Sequence, residues 1–150
     1  MTPDDLVEIE AIKRLKHKYV RSLDQKRWDE LGECFLENTT SSYGGGEYSY
    51  EGRDAILQFL QESLSPTVIT MHQVHQPEID LLSSTEATGT WALEDTVIMP
   101  EHGLEIRGAA YYTDRYVKVD GEWKIAHTGY KRLFEEMRKR ADPIKFTGTQ

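Results

Sequence analysis

The chain has 150 residues, enough for one domain over 1–150 with a buried core of its own. Asp and Glu outnumber Lys and Arg by 26 to 18, and the resulting net charge of −8 disfavours binding to nucleic acid. No apolar run approaches the roughly 18 residues of a membrane span. The acidic N-terminus lacks the basic and apolar regions of a signal peptide. With a single cysteine, Cys34, these features predict a cytoplasmic protein without a disulfide bond.

The first third of the chain is predicted to be helical. Thr2 is suited to cap a first helix, whose apolar stripe recurs at helical spacing: Leu6, Ile9, Ile12, Leu15, Tyr19 and Leu23. A shorter helix is predicted over 28–35 and a third over 54–64. Between them, residues 39–50 are rich in Ser, Thr and Tyr around Gly44–Gly46, which predicts two short strands joined by a turn.

The remaining pattern is that of strands, predicted over 68–82, 87–99, 104–119 and 122–133. Asp120-Gly121 is a strong hairpin signal between the last two. Strands this long must bend, and helices must cover the concave face that results. We therefore predict an α+β fold in which a cone-shaped, curved antiparallel sheet wraps around the N-terminal helices and leaves a pocket.

The C-terminal segment gives the least clear pattern. A short helix is predicted over 131–140, because basic and acidic residues are mixed there. The domain core is expected to span about residues 5–136 and the tail 137–150. Ile144 and Phe146 in this tail are candidates for docking on a neighbouring subunit.

Asp95 interrupts an apolar strand face formed by Trp91, Leu93, Val97 and Met99. A carboxylate in that position is costly unless it is paired, hydrogen-bonded or protonated. Asp95 is then either a buried residue satisfied by the backbone or an arginine, or a pocket group that orients substrate or assists a leaving hydroxyl.

His72 and Asp24 are the candidates for proton transfer. His72 shares a strand face with apolar residues, where a histidine is more often a core residue than a catalyst. Asp24 falls at the end of the first helix, where a negative charge opposes the helix dipole and invites a partner. It either caps the second helix or bonds to an imidazole on a strand. In the second case it fixes the tautomer, so that the other ring nitrogen can accept a proton.

Each of the other candidate residues has a purely structural interpretation beside its functional one. Trp91, Met99 and Tyr112 are core residues first and pocket lining second. His127 shares a strand face with Trp123 and Ile125 and is either a second pocket histidine or a core residue. Arg132 is expected to close the pocket or bind an anionic group, or else to form a salt bridge. Asp114 is interpreted as structural, and His17 is placed with Lys16 and Lys18 on the solvated side of the first helix. The histidine spacing does not predict a metal site.

Several stretches together resemble SnoaL-like domains of the nuclear transport factor 2 superfamily: 12–31, 50–56, 71–79, 89–95, 108–116 and 120–125. Among the enzymes of this superfamily, the chain resembles scytalone dehydratase, bile-acid 7α-dehydratase and hexachlorocyclohexane dehydrochlorinase. It implies a cone-shaped barrel with a deep pocket, and an aspartate at the end of the first helix paired with a basic strand histidine. Asp24 and His72 match those two positions, Tyr19 matches a pocket tyrosine, Asp95 a pocket acid and Arg132 a late arginine.

These observations predict a cofactor-independent, dehydratase-like lyase that acts on a hydrophobic cyclic small molecule. His72 would remove a carbon-bound proton and Asp24 would stabilise the imidazolium. Tyr19 would donate a hydrogen bond to the developing negative charge, and Asp95 would orient the substrate. An isomerase with the same base, or a non-catalytic ligand-binding or assembly module, is the alternative. The resemblance also implies a homo-oligomer, with a trimer favoured over a dimer.

Overall fold

The protein is described by a computed structural model that covers residues 1–147. Its helices are α1 (Pro3–Asp24), α2 (Trp28–Gly32) and α3 (Arg53–Ser63). A capping box begins α1: the Thr2 hydroxyl accepts a hydrogen bond from the backbone N–H of Asp5, whose carboxylate accepts one from the backbone N–H of Thr2. Two orphan N–H groups of the first turn are thereby satisfied. The predicted cap of the first helix is confirmed.

The sheet contains six strands in the order β2-β1-β6-β5-β4-β3. Their bounds are β1 Phe35–Tyr43, β2 Tyr48–Glu51, β3 Ile69–Leu81, β4 Glu86–Met99, β5 Leu104–Val119 and β6 Glu122–Lys139. All neighbouring pairs are antiparallel except β1 and β6, which run parallel, so the sheet is mixed rather than purely antiparallel. The sheet is curved and does not close. The predicted α+β cone with N-terminal helices is confirmed.

Two element boundaries differ from the prediction. The second helix ends at Gly32 rather than Phe35, because β1 begins at Phe35 and pairs there with Ile125. The helix expected over 131–140 is wrong: β6 continues to Lys139, paired with β5 along its length. A neighbouring strand supplies backbone partners that override the local sequence pattern. Residues 137–139 of the expected tail belong to β6, and residues 148–150 lie outside the described part of the chain.

Both predicted turns form where the chain needs a left-handed backbone. Gly44, Gly45 and Gly46 all have positive φ angles, of 60°, 69° and 100°, in the short connection between β1 and β2. Asp120 and Gly121, with φ angles of 51° and 80°, join β5 to β6 as a tight hairpin. Residues with a Cβ atom rarely adopt such angles, so Gly is favoured.

The core lies between α1 and the concave face of the sheet and contains a buried ion pair that the sequence did not predict. Lys16 has no exposed surface, contrary to its assignment to the solvated side, and its Nζ atom lies 2.7 Å from Oδ2 of Asp114. Asp114 also accepts hydrogen bonds from Tyr116 at 2.8 Å and Thr128 at 2.7 Å. Asp114 is thus the structural residue that its position suggested. Burial lowers the pKa of Lys16, and the charge of Asp114 opposes this effect.

None of the helices within residues 1–147 combines the length and the apolar character that crossing a bilayer requires.

Candidate active site

The structure brings Asp24 and His72 together. Oδ1 of Asp24 lies 2.6 Å from Nδ1 of His72, and both side chains are 12% exposed. The backbone N–H of His72 donates to Oδ2 at 2.8 Å, and the Thr70 hydroxyl donates to Oδ1 at 2.8 Å. A carboxylate is an acceptor only, so Nδ1 of His72 carries the hydrogen, and in the neutral ring Nε2 is the acceptor. This arrangement matches that of a general base held by a carboxylate.

Local structure explains why Asp24 lies there. It is the last residue of α1, which packs against β3, and its three hydrogen-bond donors all belong to that strand. The N-cap of α2 is Arg27, so the interpretation of Asp24 as its cap is wrong. Thr70 and His72 are two residues apart and therefore point to the same face of the strand.

Asp95 is held by Arg132. Asp95 lies directly opposite His72 in the pairing of β3 with β4 and is 7% exposed. Nη1 and Nη2 of Arg132 donate to its two oxygens, the second at 3.0 Å. Burial would lower the pKa of Arg132, but the hydrogen bond and the charge of Asp95 outweigh it and the pKa is raised. Of the two interpretations of Asp95, the structure favours a buried carboxylate paired with an arginine, beside the imidazole.

Tyr19 belongs to a buried tyrosine cluster. It has no exposed surface, and its hydroxyl lies 3.1 Å from that of Tyr43. Tyr112 packs against it edge to face, with ring centroids 6.1 Å apart. Burial raises the pKa of all three phenols well above the usual value, so they stay protonated at neutral pH. Tyr19 is therefore a hydrogen-bond donor rather than a base, and a ligand reaches it only if the cluster opens.

A family model and similar solved structures identify the family of the chain. The SnoaL-like domain family matches residues 4–129. The chain belongs to the SnoaL-like family. A proposed scytalone dehydratase from Novosphingobium aromaticivorans DSM 12444 is 28% identical, with a TM-score of 0.84 over 99% of this chain and 100% of that chain.

A hexachlorocyclohexane dehydrochlorinase, LinA-type3 from Novosphingobium barchaimii LL02, is 20% identical, with a TM-score of 0.80 over 97% and 98% of the two chains. A protein with a cystatin-like fold from Caulobacter vibrioides is 18% identical, with a TM-score of 0.72 over 84% and 89%. At this identity both structures show a shared fold only. The family match and the 28% identical structure confirm the predicted membership of the nuclear transport factor 2-like superfamily.

The other predicted site residues of this SnoaL-like domain are spread over the sheet. Trp91 and Tyr112 are each 1% exposed, and Trp91 donates to the Tyr116 hydroxyl at 3.0 Å, as core residues do. Met99 is half-buried at the end of β4, beyond Asp95.

The placement of His127 on the face of Trp123 and Ile125 is wrong. A bulge in β6 at Ala126 shifts the register: Ile125 pairs with the buried Tyr116, whereas His127 pairs with the exposed Arg115. His127 instead contacts Thr40, whose hydroxyl lies 2.7 Å from Nδ1. It faces away from the tyrosine cluster.

An aromatic groove of about 610 Å³ opens beside β6 and α3. Its aromatic lining consists of Tyr48, Tyr50, Phe59 and Tyr130. Tyr130 connects it to the site, because its ring lies 5.7 Å from that of Tyr112 and 5.4 Å from the guanidinium of Arg132. The groove therefore offers flat apolar surface next to the ion pair of Asp95.

Sequence reasoning missed Tyr43 and Thr70, which contact Tyr19 and Asp24. Thr70 carries a usable signal, since it shares the strand face of His72. Tyr43 carries none, because its partner is set by how β1 packs against α1. Cys34 is buried, and burial raises the pKa of its thiol to about 11, so it is a protonated core residue at neutral pH.

Proposed function

We propose that this SnoaL-like domain is a cofactor-independent lyase of the dehydratase type, acting on a hydrophobic cyclic small molecule. The observation that carries the proposal is the 2.6 Å contact between Oδ1 of Asp24 and Nδ1 of His72 on partly exposed side chains. An imidazole held in this way presents Nε2 as a base, and its conjugate acid is stabilised by the carboxylate beside it.

The proposed reaction is an elimination. Nε2 of His72 takes a carbon-bound proton, the electron pair of that bond forms a double bond, and hydroxide or chloride leaves the adjacent carbon. Asp24 stabilises the imidazolium. Tyr19 donates a hydrogen bond where negative charge develops, once Tyr43 moves aside, and its raised pKa suits a donor. The Arg132–Asp95 pair orients the substrate beside the base.

The substrate class rests on the aromatic groove, which neither Asp24 nor His72 lines and which reaches Arg132 through Tyr130. Tyrosine rings and the aromatic groove supply flat apolar surface, which suits a ring system. Met99 and Arg132 are proposed to line the site. Trp91 and Tyr112, each 1% exposed, line it only if the buried cluster opens. A dehydratase and a dehydrochlorinase among the similar structures support loss of a leaving group.

The test is an assay in D₂O with scytalone and hexachlorocyclohexane as probes. We expect the wild-type protein to form the dehydrated product of scytalone or to release chloride from hexachlorocyclohexane. His72→Ala is expected to lose this turnover, because loss of a general base costs about 10²–10⁴-fold in rate. His75→Ala is the matched control: this histidine is 42% exposed on the same strand and bonds to Glu94.

Incorporation of deuterium into a probe that keeps its leaving group would instead identify an isomerase with the same base. Tight binding of the probes without any reaction would identify a binding module. Turnover that survives in His72→Ala would contradict the assignment of the base.

We also propose a homo-oligomer, with a trimer favoured over a dimer, and a cytoplasmic location. Met71, Tyr111 and Phe134 are each about half exposed or more, at 57%, 45% and 53%, on the convex face of the sheet. Burial of these side chains by a second copy of the chain removes apolar area from water. Light scattering at micromolar concentration is expected to give three times the mass of the 17.3 kDa chain, and a monomeric mass would contradict this.

A further inference from the structure

Residues that lie side by side on neighbouring strands of the concave face connect His72 on β3 to Arg132 on β6. His72 on β3 pairs with Asp95 on β4, and Asp95 pairs with Gly108 on β5. Arg132 on β6 pairs with Ala110, two residues further along β5. To reach Asp95 on β4, the guanidinium of Arg132 must therefore cross β5, and its path lies over Gly108.

Gly108 leaves the space that this crossing needs. A Cβ atom added there would stand 2.6 Å from Nη1 of Arg132 and 3.3 Å from its Cζ. Carbon atoms in good contact are about 3.5–4.0 Å apart, so a methyl group and the guanidinium cannot both occupy this position. The missing side chain of Gly108 is a notch in the concave face, and the guanidinium fills it.

The same Cβ atom would also stand 2.7 Å from the carbonyl oxygen of Phe134. This second contact lies next to the register shift between Ala109 and Ala110, where Ala109 pairs with Phe134 and Ala110 with Arg132. Gly108 thus has two neighbours that exclude a side chain, one a catalytic-site guanidinium and one a backbone atom. A test must separate them.

We propose that Gly108 is a positioning residue, which lets Arg132 reach across β5 and hold Asp95 beside His72. The inference rests on the proposed function for its effect on turnover, and on geometry alone for its effect on the ion pair. Without the notch, Arg132 turns away and Asp95 loses the partner that occupies both of its oxygens. The substrate-orienting pair beside the base is then lost.

The first measurement is ¹⁵N NMR of the arginine side chains. The Nη–H signals of Arg132, which donates to Asp95 through Nη1 and Nη2, are assigned by their absence in Arg132→Gln. They are expected to exchange slowly with water in the wild-type protein and rapidly in Gly108→Ala. Asp95→Asn provides the reference for a guanidinium without its buried partner, with Glu135 still 3.5 Å from Nε. An unchanged Arg132 signal in Gly108→Ala overturns the inference.

The second measurement is a double-mutant cycle in Tm and in kcat. If Gly108 acts through Arg132, Gly108→Ala costs no further kcat in the Arg132→Gln background. It costs a smaller loss of Tm there than in the wild type, because only the contact with the Phe134 carbonyl remains. Both single variants are then expected to lose about 10²-fold in kcat, as a misplaced orienting group does. Fully additive losses in kcat and in Tm overturn the inference.

Gly129→Ala is the matched control for the backbone contact. A Cβ atom at Gly129 would stand 2.6 Å from the carbonyl oxygen of Ser42 and contacts no part of Arg132. It is expected to lower Tm without any coupling to Arg132→Gln. If Gly108→Ala does not fold but the double variant does, the guanidinium is the cause, as proposed. If the double variant also fails to fold, Gly108 serves the backbone of β6 and the inference is overturned.

The two proposals fail separately. If the wild-type protein turns over neither probe, the NMR signal and the Tm coupling still decide the role of Gly108. If turnover depends on His72 while Gly108→Ala keeps the Arg132 signal, the proposed function stands and the positioning role does not.

Discussion

Asp24→Asn is expected to lower kcat by about 10²–10⁴-fold while the protein remains folded. The carboxylate accepts three hydrogen bonds, from the Thr70 hydroxyl, the backbone N–H of His72 and its Nδ1. An amide of the same shape presents an NH₂ group to one of these donors and carries no charge to stabilise the imidazolium. The imidazole then loses both the acceptor that fixes its tautomer and the charge that stabilises its protonated form. Steady-state kinetics on a probe that the wild-type protein turns over measure the loss.

Asp80→Asn is the matched control for this change. Asp80 is an exposed carboxylate of β3, the strand that carries His72. Its replacement is expected to leave kcat within twofold of the wild-type value, since surface changes of this kind are usually nearly neutral. Circular dichroism verifies that both variants are folded. Asp24→Asn with kcat within tenfold of the wild type would remove the dyad from the mechanism.

Lys16→Met is expected to destabilise the protein by about 3–5 kcal/mol, because it leaves a buried carboxylate without its counter-ion. Lys16 and Asp114 have no exposed side-chain surface and lie 2.7 Å apart. The ammonium group also lies 3.4 Å from the centroid of the Tyr112 ring, so its removal takes away a cation–π contact. Urea denaturation with a common m-value measures the loss in the free energy of unfolding.

Lys18→Met provides the comparison on the same helix. Lys18 pairs with Glu33 at the surface, with 34% and 60% of the two side chains exposed, so its loss is expected to cost about 1 kcal/mol or less. The double variant Lys16→Met/Asp114→Asn is expected to regain part of the stability, since the amide keeps hydrogen bonds without a buried charge. If Lys16→Met is as stable as Lys18→Met, the buried pair contributes nothing.

Local sequence determined the elements whose interactions are local. The capping box at Thr2, the apolar stripe of α1 and the Asp120-Gly121 hairpin each depend on residues within a few positions of one another. Alternation of apolar residues predicted three of the long strands to within about two residues. The motifs predicted the family, which the comparisons confirm.

The tertiary structure decided what depends on contacts between distant segments. The sequence left two partners open for Asp24, and only the packing of α1 on β3 selects Thr70 and His72. A cationic side chain such as Lys16 is normally solvated. Its partner Asp114, far away in sequence, offsets the free-energy cost of burying the charge.

Strand register is the other part that sequence could not supply. The bulge at Ala126 turns His127 to the outer face, and the pairing of β6 with β5 continues through a segment whose pattern favoured a helix. Hydrogen bonds to a neighbouring strand set both features, and that strand's position is a property of the folded sheet. Side-chain alternation gives the faces of a strand only as long as no residue is inserted, and the insertion itself leaves no mark in the local sequence.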